Sequence, residues 1–368
     1  MVGAGNDHAL ARERKKAGVG LPRPLVRRQW VLAAAPQGAV SLDNFRLMEA
    51  PVPEVAQGEF LVRTLFLSVA PVMRQYMIDG AGIELPLRPG DVIHGRGVGQ
   101  IIESRNSDFP VGTIVHGKLG WQDHAISDGA DDKLMFPVGS RDLPHSTALG
   151  VLGMTGFSAF VGLFDIGQPV EGETVVVSGA AGGVGSIAGQ LAKIAGCRVI
   201  GIAGTPEKCD MLTEELGFDE AVNYRSGNFA QRLADATPDG IDVIFDNVGG
   251  SVLDTALARI NRYARVVSCG RISQYVDGPN HALANWWRIG ENSARMQGFF
   301  VYEYRHRFAE AEAKMADWIR EGRLRWREDV LDGFDRMPEA LCRLFEGRNL
   351  GKQVVRVADP LSDAELGL

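Results

Sequence analysis

The segment Gly179-Ala180-Ala181-Gly182-Gly183-Val184-Gly185 places glycines in a GxxGxxG spacing. Glycine there lets backbone N–H groups approach an anion that a Cβ would hold off, and a helix starting at that point adds partial positive charge. The usual dinucleotide fingerprint is GxGxxG, so the spacing alone is a weak signal. Its flanks strengthen it. Thr174-Val175-Val176-Val177-Ser178 is a continuous apolar strand, and residues 183–195 carry Ile187, Leu191 and Ile194 on one helical stripe. An ordinary Gly-rich strand-to-helix turn is the alternative, and the strand–loop–helix context favours a pyrophosphate site.

The next strand tip selects the dinucleotide. Enzymes using NAD usually place an Asp or Glu about 20 residues on, against the ribose 2′-hydroxyl. Here the tip reads Ala203-Gly204-Thr205-Pro206-Glu207-Lys208, with no acid before Glu207, which already lies in the following helix. Lys208, one turn into that helix, can meet a 2′-phosphate as a point charge. NADPH/NADP+ is therefore the expected cofactor. Without the missing acid, a solvated helix lysine would be the better reading of Lys208.

Several classes are excluded. Four cysteines, Cys197, Cys209, Cys269 and Cys342, form no CxxC pair, which argues against a disulfide framework or structural zinc and for a reducing, cytoplasmic setting. Hydrophobic residues make up 45% and charged residues 23%, within the globular norm. No apolar run approaches the roughly 18 residues that span a bilayer, so no membrane association is expected. Residues 1–28 hold seven basic and two acidic residues while the whole chain carries −7. The remainder is thus strongly acidic and not a nucleic-acid surface. The basic segment has no apolar h-region and reads as a solvated extension, with a weak transit peptide as the alternative.

The elements that must hold the loop fall into two styles. From Trp30 to about residue 150, short β-like runs (60–66, 98–103, 113–117) are punctuated by Gly and Pro, which fits a strongly bent β barrel or partly open sheet. After Gly150, strands and helices alternate: a strand over 198–203, a helix over 206–216, a strand over 241–246, a helix over 251–260 and a strand over 264–269. That rhythm predicts an α/β, doubly wound parallel sheet of Rossmann type. A long helix over 304–321 follows. A last helix over 338–346 and a strand over 352–357 are expected to rejoin the first domain.

These motifs together give a resemblance to a family. The chain resembles the zinc-independent medium-chain dehydrogenases/reductases of the prostaglandin reductase (leukotriene B4 dehydrogenase) group, and within it bacterial curcumin reductase-like proteins. The resemblance runs over residues 29–357. It is carried by Arg28-Gln29-Trp30-Val31-Leu32-Ala33, Leu149-Gly150-Val151-Leu152-Gly153-Met154, Asp165-Ile166-Gly167-Gln168-Pro169, Asp246-Asn247-Val248-Gly249-Gly250 and Asn349-Leu350-Gly351-Lys352. It implies a basic N-terminal extension (1–28), a GroES-like bent β-barrel catalytic domain (29–153 and 327–368) and an NADP-binding Rossmann domain (154–326). It also implies a homodimer joined through the cofactor domains, with the apolar region from Asn285-Trp286-Trp287 to Phe299-Phe300-Val301 at the joint.

At matching positions the resemblance assigns Lys208 and Tyr224 to the 2′-phosphate. Asn247, Cys269, Gly270 and Tyr275 are expected around the cofactor, with Met154 and Thr155 bordering the nicotinamide and Phe299, Val301 and Asn349 completing that end. Zinc-dependent relatives carry a Gly-His-Glu motif; the comparable stretch here is Ile93-His94-Gly95-Arg96-Gly97-Val98-Gly99, with Arg96 where the Glu belongs, and no Cys precedes Cys197. No metal is expected, and His94, His116 and His124 read as structural. Without a metal to stabilise an alkoxide, the substrate must accept hydride readily, as an α,β-unsaturated aldehyde or ketone does. The oxyanion donor implied by the resemblance is Tyr275; a pocket-wall aromatic is the alternative. A zinc-free quinone reductase and a non-catalytic NADPH-binding sensor are the competing readings. One departure stands out: relatives carry Asp-Pro-Tyr-Met-Arg where this chain has Ala70-Pro71-Val72-Met73-Arg74. Trp286, Trp287 and Phe300 are read either as an aromatic wall for a bulky substrate or as packing.

Overall fold

The computed structural model describes residues 25–78, 84–140, 142–276 and 281–368, so the basic extension before residue 25 lies outside the described residues. Six strands form an all-parallel sheet: Thr174–Ser178, Arg198–Ala203, Glu220–Asn223, Ile241–Asp246, Ile260–Ser268 and Arg295–Gly298. Numbered within this sheet, their spatial order is 3-2-1-4-5-6, that of the doubly wound dinucleotide fold. The central strand is buried along its whole length, as expected where helices cover both faces. The helix Gly183–Ile194 buries Ile187 and Leu191 against it and leaves Ile194 partly buried.

The second sheet has seven strands and draws on both ends of the chain. Glu328–Asp332 and Lys352–Arg356 sit beside Phe60–Ser68, which pairs in turn with Arg96–Ser104 and His124–Ser127. The late strands therefore do return to the first half of the molecule. Register shifts between Leu61 and Val62 and between Thr64 and Phe66 interrupt the central pairing, and such bulges bend a sheet. A hairpin of Val26–Leu32 with Phe45–Pro51 leans on it through bridges at Gln29–Gln122 and Val31–Val92. A partly open sheet, rather than a closed barrel, is what these pairings describe.

Element boundaries depart from expectation at two places. The helix expected over 251–260 ends at Leu257, and the strand expected from 264 begins at Ile260. Tyr263 takes φ +65° inside that strand, and the pairing with the neighbouring strand shifts register between Ile241 and Val243. A bulge there breaks the apolar alternation that a sequence reading follows. The helix expected from 304 begins at Phe308, after tight turns over Val301–Arg307 in which Tyr304 is non-helical. Within the parallel sheet, two strands carry no signal in the sequence, Glu220–Asn223 and Arg295–Gly298. Both are short edge strands without a continuous apolar run.

Candidate active site

A cavity of about 1200 Å³ runs between the two sheets. On the parallel sheet it lies past the C-terminal ends of the strands, where open α/β sheets bind ligands. Its floor is the Gly-rich loop. A Cβ at Gly185 would stand 2.4 Å from the Gly179 carbonyl oxygen and 2.8 Å from Ala180 Cα, both backbone atoms. Gly179 has φ +57°. The loop can close this tightly only with glycine at those positions.

The loop after the fourth strand is tied to the first. Asp246, buried, accepts from Ser178 Oγ at 2.6 Å and from the Gly249 backbone N–H at 2.9 Å. Burial raises its pKa, while the hydroxyl and the two backbone N–H groups around it act to lower it. Asn247 Nδ2 donates to the Ser178 carbonyl at 2.8 Å, so the two strand ends that flank the cavity are tied together. The other sheet is clasped to the loop as well. Gly351 N–H donates to the Ala181 carbonyl at 2.9 Å, Asn349 Nδ2 donates to the Gly351 carbonyl, and Lys352 Nζ donates to the Val69 carbonyl at 2.9 Å. Burial pushes Lys352 down to about 8, against the charge of Glu328.

At the tips of the second and third strands, Lys208 and Arg225 share one wall of the cavity with Tyr224. Thr205 caps the helix that carries Lys208. Burial, and then the charge of Arg225, lowers the Lys208 pKa. Arg225 lies over the Tyr224 ring, 5.6 Å from its centre, and its Nε donates to the Tyr224 hydroxyl. Two neighbouring cations with no carboxylate at the strand tip suit a doubly charged phosphate. Together with the glycine floor, these residues fit NADP(H). Arg225 escaped the sequence reading because the strand that presents it was not foreseen; the signal was a basic residue next to Tyr224.

Every expected site residue lines the cavity except Phe299 and Val301. Those two pack against the core of the parallel-sheet domain, Phe299 edge-on to Tyr304 at 6.3 Å. Trp286, Trp287 and Phe300 are exposed and not among the residues that line the cavity, although Phe300 meets Tyr302, which is, with ring centres 4.8 Å apart. Cys269 is partly buried, and its thiol is pushed up to about 12 by desolvation and then by Asp246, which keeps it protonated. Val72, the departure from the family pattern, does line the cavity. Of the three histidines read as structural, His116 is buried and His124 pairs with Asp123 at 3.1 Å, whereas His94 is in the cavity wall.

Tyr275 is in the same wall. Burial raises its pKa, partly offset by a backbone hydrogen bond from Arg271, so the hydroxyl stays protonated at neutral pH. A protonated hydroxyl there can donate to a ligand. Gln75, from the first domain, donates to the Tyr275 carbonyl at 3.3 Å across the cleft.

The first domain adds Tyr76, Glu84, Arg96 and Lys118, and Tyr302 joins them from the parallel-sheet domain, a polar group that the sequence did not suggest. Among the described residues no cluster of three His, Cys, Asp or Glu converges on a point, and no helix is long and apolar enough to cross a membrane.

The chain belongs to the zinc-independent medium-chain dehydrogenases/reductases, a family of NADP-dependent oxidoreductases. A family model described as the N-terminal domain of oxidoreductase matches residues 28–135, and one described as zinc-binding dehydrogenase matches residues 183–317. The chain is 42% identical over 337 residues to NADPH-dependent curcumin reductase of Escherichia coli, covering 90% of this chain and 97% of that protein. It is 37% identical to a 2-alkenal reductase (NADP(+)-dependent) of Nicotiana tabacum, covering 91% and 97%. The crystal structure of CurA from Vibrio vulnificus in complex with NADPH superposes with a TM-score of 0.85 at 42% identity, covering 90% of this chain and all of that one.

Proposed function

We propose that the protein is an NADPH-dependent reductase of the C=C bond of α,β-unsaturated aldehydes and ketones. The observation that carries this reading is Tyr275: a partly buried, protonated hydroxyl in the wall of the cavity whose floor is the phosphate loop. Bound NADPH supplies the hydride that the β-carbon of the substrate accepts. The glycine floor, Lys208 and Arg225 hold the cofactor's phosphates. As charge grows on the substrate carbonyl oxygen, the Tyr275 hydroxyl donates to it. The relatives that act on curcumin and 2-alkenals support the substrate class. Val72 in place of the family tyrosine leaves one hydroxyl fewer and more room.

The test is single-turnover reduction of a simple enone at saturating NADPH, with a parallel cofactor titration. Tyr275→Phe is expected to slow hydride transfer about tenfold to a hundredfold, somewhat less than a typical lost oxyanion donor, with cofactor affinity nearly unchanged. A wild-type rate in the variant would remove Tyr275 from catalysis. Loss of NADPH binding instead would make it a cofactor clamp.

The functional unit proposed is a homodimer. Strand Arg295–Gly298 is an open sheet edge with all four residues exposed, and Trp286, Trp287 and Phe300 lie exposed close by in the chain. An open edge beside exposed aromatics suits two-fold pairing with a second copy. Light scattering at micromolar concentration should give twice the chain mass; a monomer mass refutes the proposal.

A further inference from the structure

Tyr275 stands at the end of a pinned stretch of chain. After the strand Ile260–Ser268, the backbone N–H groups of Gly270, Ile272 and Ser273 donate to the carbonyls of Asp246, Asn247 and Val248 at 3.1, 3.3 and 3.2 Å. Ser273 Oγ donates to the Val248 carbonyl as well, at 2.6 Å. The cofactor domain thus fixes this loop as far as Ser273. Beyond it the backbone bonds are local: Gln274 N–H donates to the Arg271 carbonyl at 2.8 Å, and Tyr275 N–H to the Ile272 carbonyl at 3.3 Å.

The Tyr275 carbonyl is held from the other side of the cleft, by Gln75 Nε2 at 3.3 Å. Among the described residues, no other side chain of the first domain hydrogen-bonds residues 270–276. Gln75 sits on a rigid mount. It belongs to the short helix Met73–Tyr76, where Met73 and Arg74 are buried, as is Met77 directly after it. Arg74 Nε donates to the Gly38 carbonyl at 2.9 Å. The backbone of Gln75 is therefore fastened to the core of the first domain. Gln75 is not among the residues that line the cavity, whereas Tyr76 and Tyr275 are. Its effect on the reaction must pass through the loop it holds.

We infer that Gln75 is a positioning residue for Tyr275. By holding the Tyr275 carbonyl it sets the hydroxyl against the substrate, so that the first domain, and not the cofactor domain alone, aims the donor. An oxyanion donor acts only when it is placed to well within 1 Å or so, which gives one hydrogen bond on the loop a hold on the rate. This rests on Tyr275 as the donor in enone reduction, and the test separates the two.

Gln75→Met keeps the length of the side chain and removes the donor. In the NADPH-bound protein, amide hydrogen exchange over residues 270–276 is expected to quicken about threefold to tenfold, the weight of one neutral hydrogen bond. Single-turnover reduction of a simple enone at saturating NADPH should slow by a similar factor, with NADPH affinity nearly unchanged. The same substitution made on Tyr275→Phe should slow reduction no further, because the hydroxyl that Gln75 aims is gone. Wild-type exchange in Gln75→Met overturns the proposal, as does equal slowing with and without the Tyr275 hydroxyl. So does a wild-type rate in Gln75→Met where Tyr275→Phe is slow. If exchange quickens but Tyr275→Phe reduces at the wild-type rate, the donor reading fails and the hold of Gln75 on the loop stands. Should Gln75→Met not fold, Gln75→Glu takes its place, since an ionised carboxylate keeps the shape and cannot donate.

Discussion

The two halves of the cavity are built by opposite means. The cofactor half is largely local: seven consecutive residues, a strand tip and one turn of helix provide backbone N–H groups and a lysine. The substrate half is dispersed. Val72, Tyr76, Glu84, Arg96, Lys118, Tyr275 and Tyr302 come from separate elements of both domains. A phosphate is recognised by backbone geometry that a short run of glycine can encode. A substrate of particular shape and charge needs side chains converging from several directions.

The contrast breaks most sharply at Gly185. A methyl group there meets the Gly179 and Ala180 backbone with nowhere to move, whereas at Gly182 it meets only the Gly179 oxygen at 3.2 Å. Gly185→Ala should cost about 1–3 kcal/mol of stability from overpacking and weaken NADPH at least about a hundredfold, the loss of two phosphate hydrogen bonds. Gly182→Ala should cost far less. Fluorescence titration and thermal melts on both variants check this; equal effects would mean that backbone closure is not what binds the phosphate.

The substrate half should fail first in acid. His116 is held neutral, pushed down to about 3 by burial and then by the charge of Arg96. Between that value and its ordinary value near 6.5, the unfolded chain binds a proton that the folded chain refuses. Stability from this group is therefore complete above pH 6.5 and lost as pH falls to 3, by a few kcal/mol in all. Urea midpoints across that range should decline in the wild type and flatten in His116→Leu. An unchanged slope in the variant would assign the acid sensitivity elsewhere.

The smallest of these effects sharpens the cofactor half. Lys208→Ala should weaken NADPH by about 1.5–3 kcal/mol, one charge-assisted contact, and leave NADH nearly unaffected. Arg225 remains to hold part of the phosphate. Equal affinity of the wild type for both cofactors would show that the pair does not read the phosphate.

Legibility in the sequence follows the same division. The central strands and the glycine loop were readable because burial on both faces leaves a continuous apolar run, and a tight anion loop demands glycine. Edge strands Glu220–Asn223 and Arg295–Gly298 were not, since half their surface is polar and their pairing is decided by neighbours distant in the chain. The assignment of Phe299 and Val301 to the nicotinamide end came by resemblance, while the structure packs both against the core.

The sequence by itself determined the doubly wound sheet, the phosphate loop and the preference for a phosphorylated ribose, because each depends on residues adjacent in the chain or one helical turn apart. Tertiary structure alone decided which charges meet. Arg96 and Lys118 lie twenty-two positions apart and become partners only through strand register. Lys352 reaches Val69 only because the last strand of the chain pairs with Phe60–Ser68 in the seven-stranded sheet. Coulomb and hydrogen-bond energies depend on distance in space, and the chain order of these residues carries no record of it.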